Sequence, residues 1–236
     1  MIGQQIKKFL SSAIILNVLI ILLLSCQSQP ERIRSENIET DTIADNADTS
    51  RHVKTIVFFG NSLTAGYGLD PQQSFPSLIQ KKIDSLGLKY KVVNAGVSGE
   101  TTAGGKSRVN WVLNQPVDIF VLELGANDGL RGLPLKETKQ NLVDIIHTVK
   151  NKYPDAQIVL AGMQVPPNMG PEYAKQFSQL YQDIAREEQV HLISFLLEGV
   201  AGEPELNLDD RIHPNVEGQK IVADNVWDVL EKVLDK

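Results

Sequence analysis

Cysteine, basic residues and metal-binding patterns are all scarce in this chain of 236 residues. A single cysteine excludes a disulfide within the chain. There are 23 Lys and Arg against 29 Asp and Glu. The net charge of −6 argues against a nucleic-acid partner, because such binding depends on basic side chains that neutralise phosphates. No cluster of His, Asp and Glu has the spacing of metal ligands, so we expect no metal.

Long apolar runs are absent except at the amino terminus. There, Lys7 and Lys8 precede a largely apolar run of 17 residues from Phe9 to Ser25. This run is shorter than the roughly 20 residues that span a bilayer, and it is typical of a secretory signal. It ends in Leu23-Leu24-Ser25-Cys26, which resembles the bacterial lipobox, where the cysteine is lipidated and everything before it is removed. We therefore predict a lipoprotein signal peptide over residues 1–25 and lipidation at Cys26, with an uncleaved signal anchor as the alternative.

Residues 26–52 are expected to be the lipidated cysteine and a flexible linker. The segment is rich in Asp, Glu, Ser and Thr, and it has too few large apolar residues to offset the entropy that ordering would cost. The globular domain is predicted to cover residues 53–236. Several acyl chains on Cys26 would hold the protein firmly to a membrane. We therefore expect a lipid-anchored membrane lipoprotein of the bacterial cell envelope that faces the periplasm or the exterior.

Strand-like and helix-like patterns alternate along the predicted domain. This alternation predicts an α/β fold in which a parallel sheet carries helices on both faces. The predicted strands are 54–60, 90–95, 117–124, 156–162 and 190–194. Amphipathic stripes predict helices around 75–86, 135–149, 173–184 and 222–233. Because loops after parallel strands carry the chemistry of open α/β sheets, the site is expected at the carboxyl ends of the strands.

The loops after the first three strands contain candidate functional residues. Ser62 follows the apolar run Ile56–Phe59, and it is either a nucleophile exposed to solvent or merely the N-cap of the next helix. The loop 94–102 is rich in glycine, which allows backbone N–H groups to approach a ligand closely. Asn127 follows the third strand, and it is either a left-handed turn residue or an amide donor in the cleft.

The segment Asp210-Arg211-Ile212-His213-Pro214 is the strongest local indication of catalysis. Residues three apart on a turn are neighbours, so Asp210 can orient one imidazole nitrogen of His213 and leave the other free as a base. Pro214 restricts the backbone of the residue before it, which limits where the imidazole can lie. The remaining histidines are interpreted as surface or structural residues: His52, His147 and His191.

Four blocks resemble, in order, the signature blocks of the SGNH (GDSL) hydrolases: Gly60-Asn61-Ser62-Leu63, Gly99, Gly125-Ala126-Asn127-Asp128 and Asp210-Arg211-Ile212-His213. The run from Glu123 to Gly132 resembles especially the acyl-CoA thioesterase I, lysophospholipase L1 and arylesterase branch. The resemblance covers residues 53–236. It implies a three-layer sandwich with a flavodoxin-like, five-stranded parallel sheet. The roles that it implies are a catalytic triad of Ser62, Asp210 and His213 and an oxyanion hole formed by Ser62, Gly99 and Asn127.

The same resemblance implies hydrolysis of acyl esters or thioesters through an acyl-enzyme, a reaction that requires no cofactor. The expected partners are a small-molecule acyl ester or thioester and, through Cys26, a membrane. Two alternatives remain: a carbohydrate acetylesterase of the same fold, and a catalytically silent lipoprotein that binds a glycan or a lipid. The silent alternative depends on Asn61, because the family usually has aspartate at this position.

Overall fold

The computed structural model describes residues 53–235. The predicted signal peptide, the predicted lipidation site Cys26 and the predicted linker lie outside these residues. The five strands are β1 (Lys54–Gly60), β2 (Tyr90–Gly96), β3 (Ile119–Glu123), β4 (Gln157–Ala161) and β5 (His191–Ile193). Each strand therefore lies where the sequence predicts it, and the bounds agree to within about two residues.

The strands form one parallel sheet in the order β2-β1-β3-β4-β5. In the centre, Val57 of β1 lies opposite Val93 of β2 on one side and Phe120 of β3 on the other. This is the flavodoxin-like strand order, so the predicted fold class is confirmed. The chain runs from β1 outward to β2 and then returns to β3 on the other side. Such a reversal opens a crevice beyond the carboxyl ends of β1 and β3.

The helices cover the sheet in two groups. Their bounds are α1 (Ser62–Ala65), α2 (Phe75–Ser85), α3 (Thr102–Val112), α4 (Ala126–Leu130), α5 (Leu135–Lys152), α6 (Pro171–Glu188) and α7 (Val216–Leu230). Helices α2 and α7 pack against each other, whereas α5 packs against α3 and α6. This grouping gives the predicted three layers. Within residues 53–235, no helix is both long enough and apolar enough to cross a membrane.

Helix α3 is an element that the sequence pattern does not predict. It contains two adjacent glycines, Gly104 and Gly105, which have low helix propensity. The side chain of Thr101 caps the helix by accepting a hydrogen bond from the N–H of Gly104 (3.3 Å). Gly105 lies so close to the sheet that a Cβ atom there would be 2.3 Å from the side chain of Leu124. Close packing against the sheet therefore explains this helix better than local propensity does.

Strands β1 and β3 form the buried centre of the sheet. The four residues Ile56–Phe59 are fully buried, as are Phe120 and Leu122. A strand that is covered on both faces has a continuous apolar sequence rather than an alternating one, which explains these runs. At their carboxyl ends the two strands lead to buried polar residues, Asn61 and Glu123. The site described next is built at this edge.

Candidate active site

Ser62 is the first residue of α1 and lies immediately after β1. It is not the N-cap, because Asn61 occupies that position and its side-chain oxygen accepts a hydrogen bond from the N–H of Leu63 (2.9 Å). The expectation that Ser62 is exposed to solvent is also wrong, since the residue is only 9% exposed. The short turn after the sheet centre therefore holds Ser62 at the floor of a cleft, with its hydroxyl directed at another side chain.

That side chain is His213, which the structure brings together with Ser62 and Asp210. The imidazole Nε2 lies 2.9 Å from the Ser62 Oγ, and Nδ1 lies 2.6 Å from the Asp210 Oδ2. Partial burial raises the pKa of Asp210, but hydrogen bonds from the backbone and ring of His213 and from the N–H of Ile212 outweigh this effect and lower the pKa to about 2. Asp210 is therefore ionised at neutral pH and can orient the imidazole.

The loop that carries this pair is closed by backbone hydrogen bonds. Leu208 donates its N–H to the carbonyl oxygen of His213 (2.8 Å), and Arg211 donates its N–H to that of Leu208 (2.8 Å). Arg211 has φ of 58°, in the left-handed region that a non-glycine residue adopts at a cost. The other oxygen of Asp210 accepts the N–H of His213 (3.0 Å). The carboxylate thus fixes both the backbone and the ring of the histidine.

Tyr67 is a neighbour of the site that the sequence does not indicate. Its ring lies against the imidazole of His213, with centroids 4.5 Å apart and planes inclined by 38°. Its N–H donates to the carbonyl oxygen of Ser62 (3.0 Å). Gly66 and Gly68 on either side have positive φ values of 74° and 77°, so the chain turns back over the histidine. The sequence shows only a tyrosine between two glycines that are typical of turns. Its contact with His213 becomes visible only in the folded structure.

The predicted oxyanion residues come from the loops after β2 and β3. Asn127 lies in the first turn of α4, and its side-chain amide donates to the carbonyl oxygen of Glu100 (3.0 Å). It is therefore an amide donor and not a left-handed turn residue. Gly99, with φ of 79°, precedes the residue that Asn127 contacts. Ser62 and Asn127 line the same cleft, whereas Gly99 is not among its lining residues.

The cleft has a volume of about 600 Å³, within the usual range for small-molecule sites. Much of its wall is apolar: Leu130, Met163, Val165, Pro166, Phe195, Leu197 and Ile212. Among the residues that follow β3 and β4, Leu133 and Met169 do not line it. The carbonyl oxygen of Leu133 instead accepts the hydroxyl of Tyr173 (3.0 Å). The cleft is therefore an apolar slot that opens beside the Ser62 hydroxyl.

The remaining histidines make surface contacts. His147 pairs with Glu188 (2.9 Å), and His191 lies 3.3 Å from the amide oxygen of Gln157. His52 lies outside the described residues. In the part of the chain that the structure describes, no three His, Cys, Asp or Glu side chains are grouped so that they could hold a metal ion.

Several known proteins are similar to this chain. Residues 58–221 match the family described as GDSL-like lipase/acylhydrolase. The esterase TesA of Pseudomonas aeruginosa is 39% identical over 182 residues, which cover 77% of this chain and 90% of that protein. The thioesterase 1/protease 1/lysophospholipase L1 of Escherichia coli K12 is 39% identical over 171 residues, which cover 72% of this chain and 80% of that protein.

A solved structure shares the fold at a similar level of identity. The crystal structure of the psychrotrophic esterase EstA from a Pseudoalteromonas species, inhibited by monoethylphosphonate, superimposes with a TM-score of 0.71. The two chains are 34% identical, and the match covers 76% of this chain and 97% of that one. The family match over residues 58–221 includes Ser62, Asn127 and His213.

Proposed function

The chain belongs to the GDSL-like lipase/acylhydrolase family and is a carboxylic ester hydrolase, and we propose that Ser62 is its nucleophile, His213 its general base and Asp210 the residue that orients His213. The observation that carries this proposal is the series of hydrogen bonds from the Ser62 hydroxyl through the imidazole to the Asp210 carboxylate. A hydroxyl is a weak nucleophile unless an adjacent base takes its proton, and this geometry supplies that base.

The reaction follows from the positions of the protons. His213 Nε2 takes the proton of Ser62 as the Oγ attacks the ester or thioester carbonyl. The imidazolium then donates this proton to the leaving alcohol or thiol, and an acyl-enzyme remains. Water, deprotonated in turn by His213, releases the acyl group and regenerates Ser62. Asp210 keeps the proton of the ring on Nδ1 and stabilises the imidazolium, which the low pKa of its carboxyl allows.

The oxyanion of the tetrahedral intermediate must be stabilised by hydrogen-bond donors. Such donors are found at the start of α1 and in the loops on the other side of the cleft. Ser62 is the first helical residue, where the backbone N–H has no partner within the helix. The amide of Asn127 has a second N–H beyond the one that it donates to Glu100. We assign the oxyanion hole to these two groups and the N–H of Gly99. One such donor is typically worth about 2.7–4 kcal/mol of the barrier.

The substrate class follows from the wall of the cleft. An apolar slot of about 600 Å³ beside the nucleophile exceeds what an acetyl group fills. Relatives that are named esterase and thioesterase/lysophospholipase support acyl esters or thioesters as substrates. We propose that the acyl chain lies along Leu130, Met163 and Val165, with the leaving group toward solvent. An acetylesterase for carbohydrates would need polar contacts for a sugar in place of this wall.

An acyl series tests this choice. We expect kcat/KM for p-nitrophenyl esters to rise from acetyl to longer chains, because each methylene buried in the slot contributes up to about 0.8 kcal/mol. Leu130→Asp, at an exposed position of the wall, is expected to lower the preference for long chains and leave acetyl hydrolysis less affected. A steep optimum at acetyl, together with release of acetate from acetylated sugars, would favour the carbohydrate acetylesterase instead.

Covalent labelling distinguishes an active esterase from a catalytically silent lipoprotein that only binds a ligand. A fluorophosphonate probe reacts with an activated serine and is expected to modify the protein once, at Ser62, as identified by peptide mass spectrometry. Asn61 in place of the family's aspartate is then no sign of decay. A protein that remains unlabelled while it binds a lipid or glycan would support the silent alternative.

We propose in addition that Cys26 attaches the protein to the membrane of the bacterial cell envelope. The support is the apolar run that ends in Leu23-Leu24-Ser25-Cys26 and the polar segment that follows it. Expressed in bacteria, the full chain is expected to incorporate palmitate and to sediment with membranes. Cys26→Ala should abolish incorporation, because it is the only cysteine. If Cys26→Ala still sediments with membranes and retains residues 1–25, the uncleaved signal anchor is the better explanation.

A further inference from the structure

Glu123 is a fully buried acidic residue at the end of β3 that the proposed reaction does not use. Its Oε2 accepts hydrogen bonds from the N–H of Asn61 (3.0 Å), the N–H of Thr64 (3.3 Å) and the hydroxyl of Thr64 (2.8 Å). Its Oε1 accepts the side-chain amide of Asn61 (2.6 Å). Asn61 and Thr64 lie on either side of Ser62. One carboxylate thus holds both ends of the turn that carries the nucleophile.

The amide of Asn61 has a defined orientation in this network. Its nitrogen donates to Glu123, while its oxygen accepts the N–H of Leu63 (2.9 Å) and lies 3.4 Å from the Ser62 Oγ. A rotation of the amide by 180° would oppose its oxygen to the carboxylate and its nitrogen to the Leu63 N–H. Only one orientation therefore satisfies every group, and it depends on an acceptor at position 123.

We propose that Glu123 is a positioning residue for Ser62, and that Asn61 acts as its amide partner in place of a second carboxylate. The proposal rests on the role of Ser62 as nucleophile. Glu123 does not touch the reacting atoms; it acts by holding Asn61 and Thr64, and hence the backbone of Ser62, at the distance from His213 that proton transfer requires. Asn61 is uncharged, and the negative charge lies instead on Glu123, which is bonded to the Asn61 amide.

In the observed network Glu123 acts only as an acceptor, as an ionised carboxylate does. The N–H of Asn61, the side-chain amide of Asn61 and the N–H of Thr64 can only donate. A protonated carboxyl could donate only to the hydroxyl of Thr64, and this would reverse the bond that the hydroxyl now donates. Burial raises the pKa of Glu123 to about 7, and the hydrogen bonds from Thr64 and Asn61 oppose this rise. Protonation near neutral pH is then expected to loosen the turn.

Two other side chains near this carboxylate, Tyr181 and Arg108, keep their charge state near neutral pH. Burial, and after it the charge of Glu123, raises the pKa of Tyr181 well above its ordinary value, so this phenol stays neutral. Arg108 donates to the carbonyl oxygen of Gly60 (3.3 Å) and pairs with Glu100. An arginine keeps its charge at any pH of interest. The carboxyl of Glu123 is therefore the group of this network that titrates.

Activity and stability are expected to respond oppositely to the protonation of Glu123. The pKa in the folded protein is raised above the ordinary value of 4.5. The contribution of this group to stability is then fully present below pH 4.5 and is lost as the pH rises through about 7. Activity should instead fall as the pH drops below about 7, because the turn loses its acceptor. Glu123→Gln, whose side chain does not titrate, should lack the part of this divergence that Glu123 produces.

Exchange of the two side-chain types provides the sharpest test. In Glu123→Gln, an amide nitrogen faces the amide nitrogen of Asn61, so two donors oppose each other. In Asn61→Asp, two buried carboxylates face each other and must share a proton. In the double variant, the new carboxylate at position 61 can accept from the amide at position 123 and from the N–H of Leu63. The oxygen of that amide can still accept from the backbone N–H groups at positions 61 and 64, so the opposed pair of donors in Glu123→Gln is removed.

We would measure kcat and KM of the full chain in detergent for the wild type, both single variants and the double variant. Glu123→Gln is expected to lower kcat about 100-fold with little change in KM, as for a misplaced nucleophile. Asn61→Asp should remain within about tenfold of the wild type near pH 6 and decline toward pH 9, as the shared proton is lost. The double variant should recover to within about tenfold and lack the acid limb that Glu123 contributes.

Asp118→Asn is the matched control, because Asp118 accepts the N–H of Thr55 (2.7 Å) at the opposite edge of the sheet. It is expected to leave the pH profile of kcat unchanged. An unchanged kcat in Glu123→Gln, or a double variant no better than the product of the single ones, would overturn the positioning role. Fluorophosphonate labelling separates this failure from that of the proposed function: labelling that persists in Ser62→Ala would contradict Ser62 as the nucleophile itself.

Discussion

Ser62→Ala is expected to lower kcat/KM for p-nitrophenyl esters by at least about 10⁴-fold, with no loss of folded protein. The hydroxyl is the atom that attacks, and no other serine or threonine has a hydroxyl within hydrogen-bonding distance of His213 among the described residues. The hydrogen bonds of this side chain are those to His213 and, at 3.4 Å, to Asn61, and neither joins it to the apolar core. The measurement is steady-state hydrolysis by the purified variant, compared with the uncatalysed rate.

Thermal denaturation of the same sample is the control for this prediction. The cap at Asn61 and the network of Glu123 do not use the Ser62 hydroxyl as an essential donor, so the melting temperature should change little. Residual turnover close to that of the wild type, in protein free of contaminating esterase, would exclude Ser62 as the nucleophile.

Asp210→Asn should lower kcat by about 10³–10⁴-fold, which is the effect of the corresponding change in other triads. An amide at this position can place its nitrogen toward the imidazole Nδ1, which is 2.6 Å away, and so favour the wrong tautomer. The variant also loses the charge that stabilises the imidazolium. In the wild type, the pKa of Asp210 is lowered to about 2, so this carboxylate keeps its negative charge throughout the pH range of the assay.

The neighbouring Asp209→Asn is the matched control, since Asp209 is exposed and its substitution removes the same charge from the same loop. It is expected to change kcat by less than about threefold, as a screened surface charge would. The two variants should be compared at low and high salt to remove any general electrostatic effect. If Asp209→Asn is the more damaging change, the spacing argument for Asp210 is wrong.

The sequence predicts much of the fold because the signals are local. A strand buried on both faces must be continuously apolar, as Ile56–Phe59 is. Helices α2, α5, α6 and α7 each cover the sheet with one face, and their amphipathic stripes therefore reveal them in the sequence. Helix α3 has no such stripe, and it depends on the close approach of Gly105 to Leu124, which no local pattern reports.

In the site, too, contacts between residues close in sequence were predictable and the direction of loop side chains was not. Asp210 and His213 lie three residues apart, so their contact follows from the geometry of a turn. The apolar wall of the cleft does not follow from position in the chain alone: Leu130, Met163 and Val165 line the cleft, whereas Leu133 and Met169, which also follow β3 and β4, do not. Proximity to a strand end identifies candidates, but the direction of each side chain depends on how its loop packs.

By itself, the amino-acid sequence determined the strand positions, the polar loops at the carboxyl ends of the strands and the local pair of Asp210 and His213. Only the tertiary structure decided which distant groups meet. Ser62 and His213 are separated by 151 residues and lie 2.9 Å apart. Asn61 and Glu123 are separated by 62 residues and share a buried hydrogen bond. Such contacts depend on strand order and register, which are set by the packing of the whole sheet and not by any segment alone.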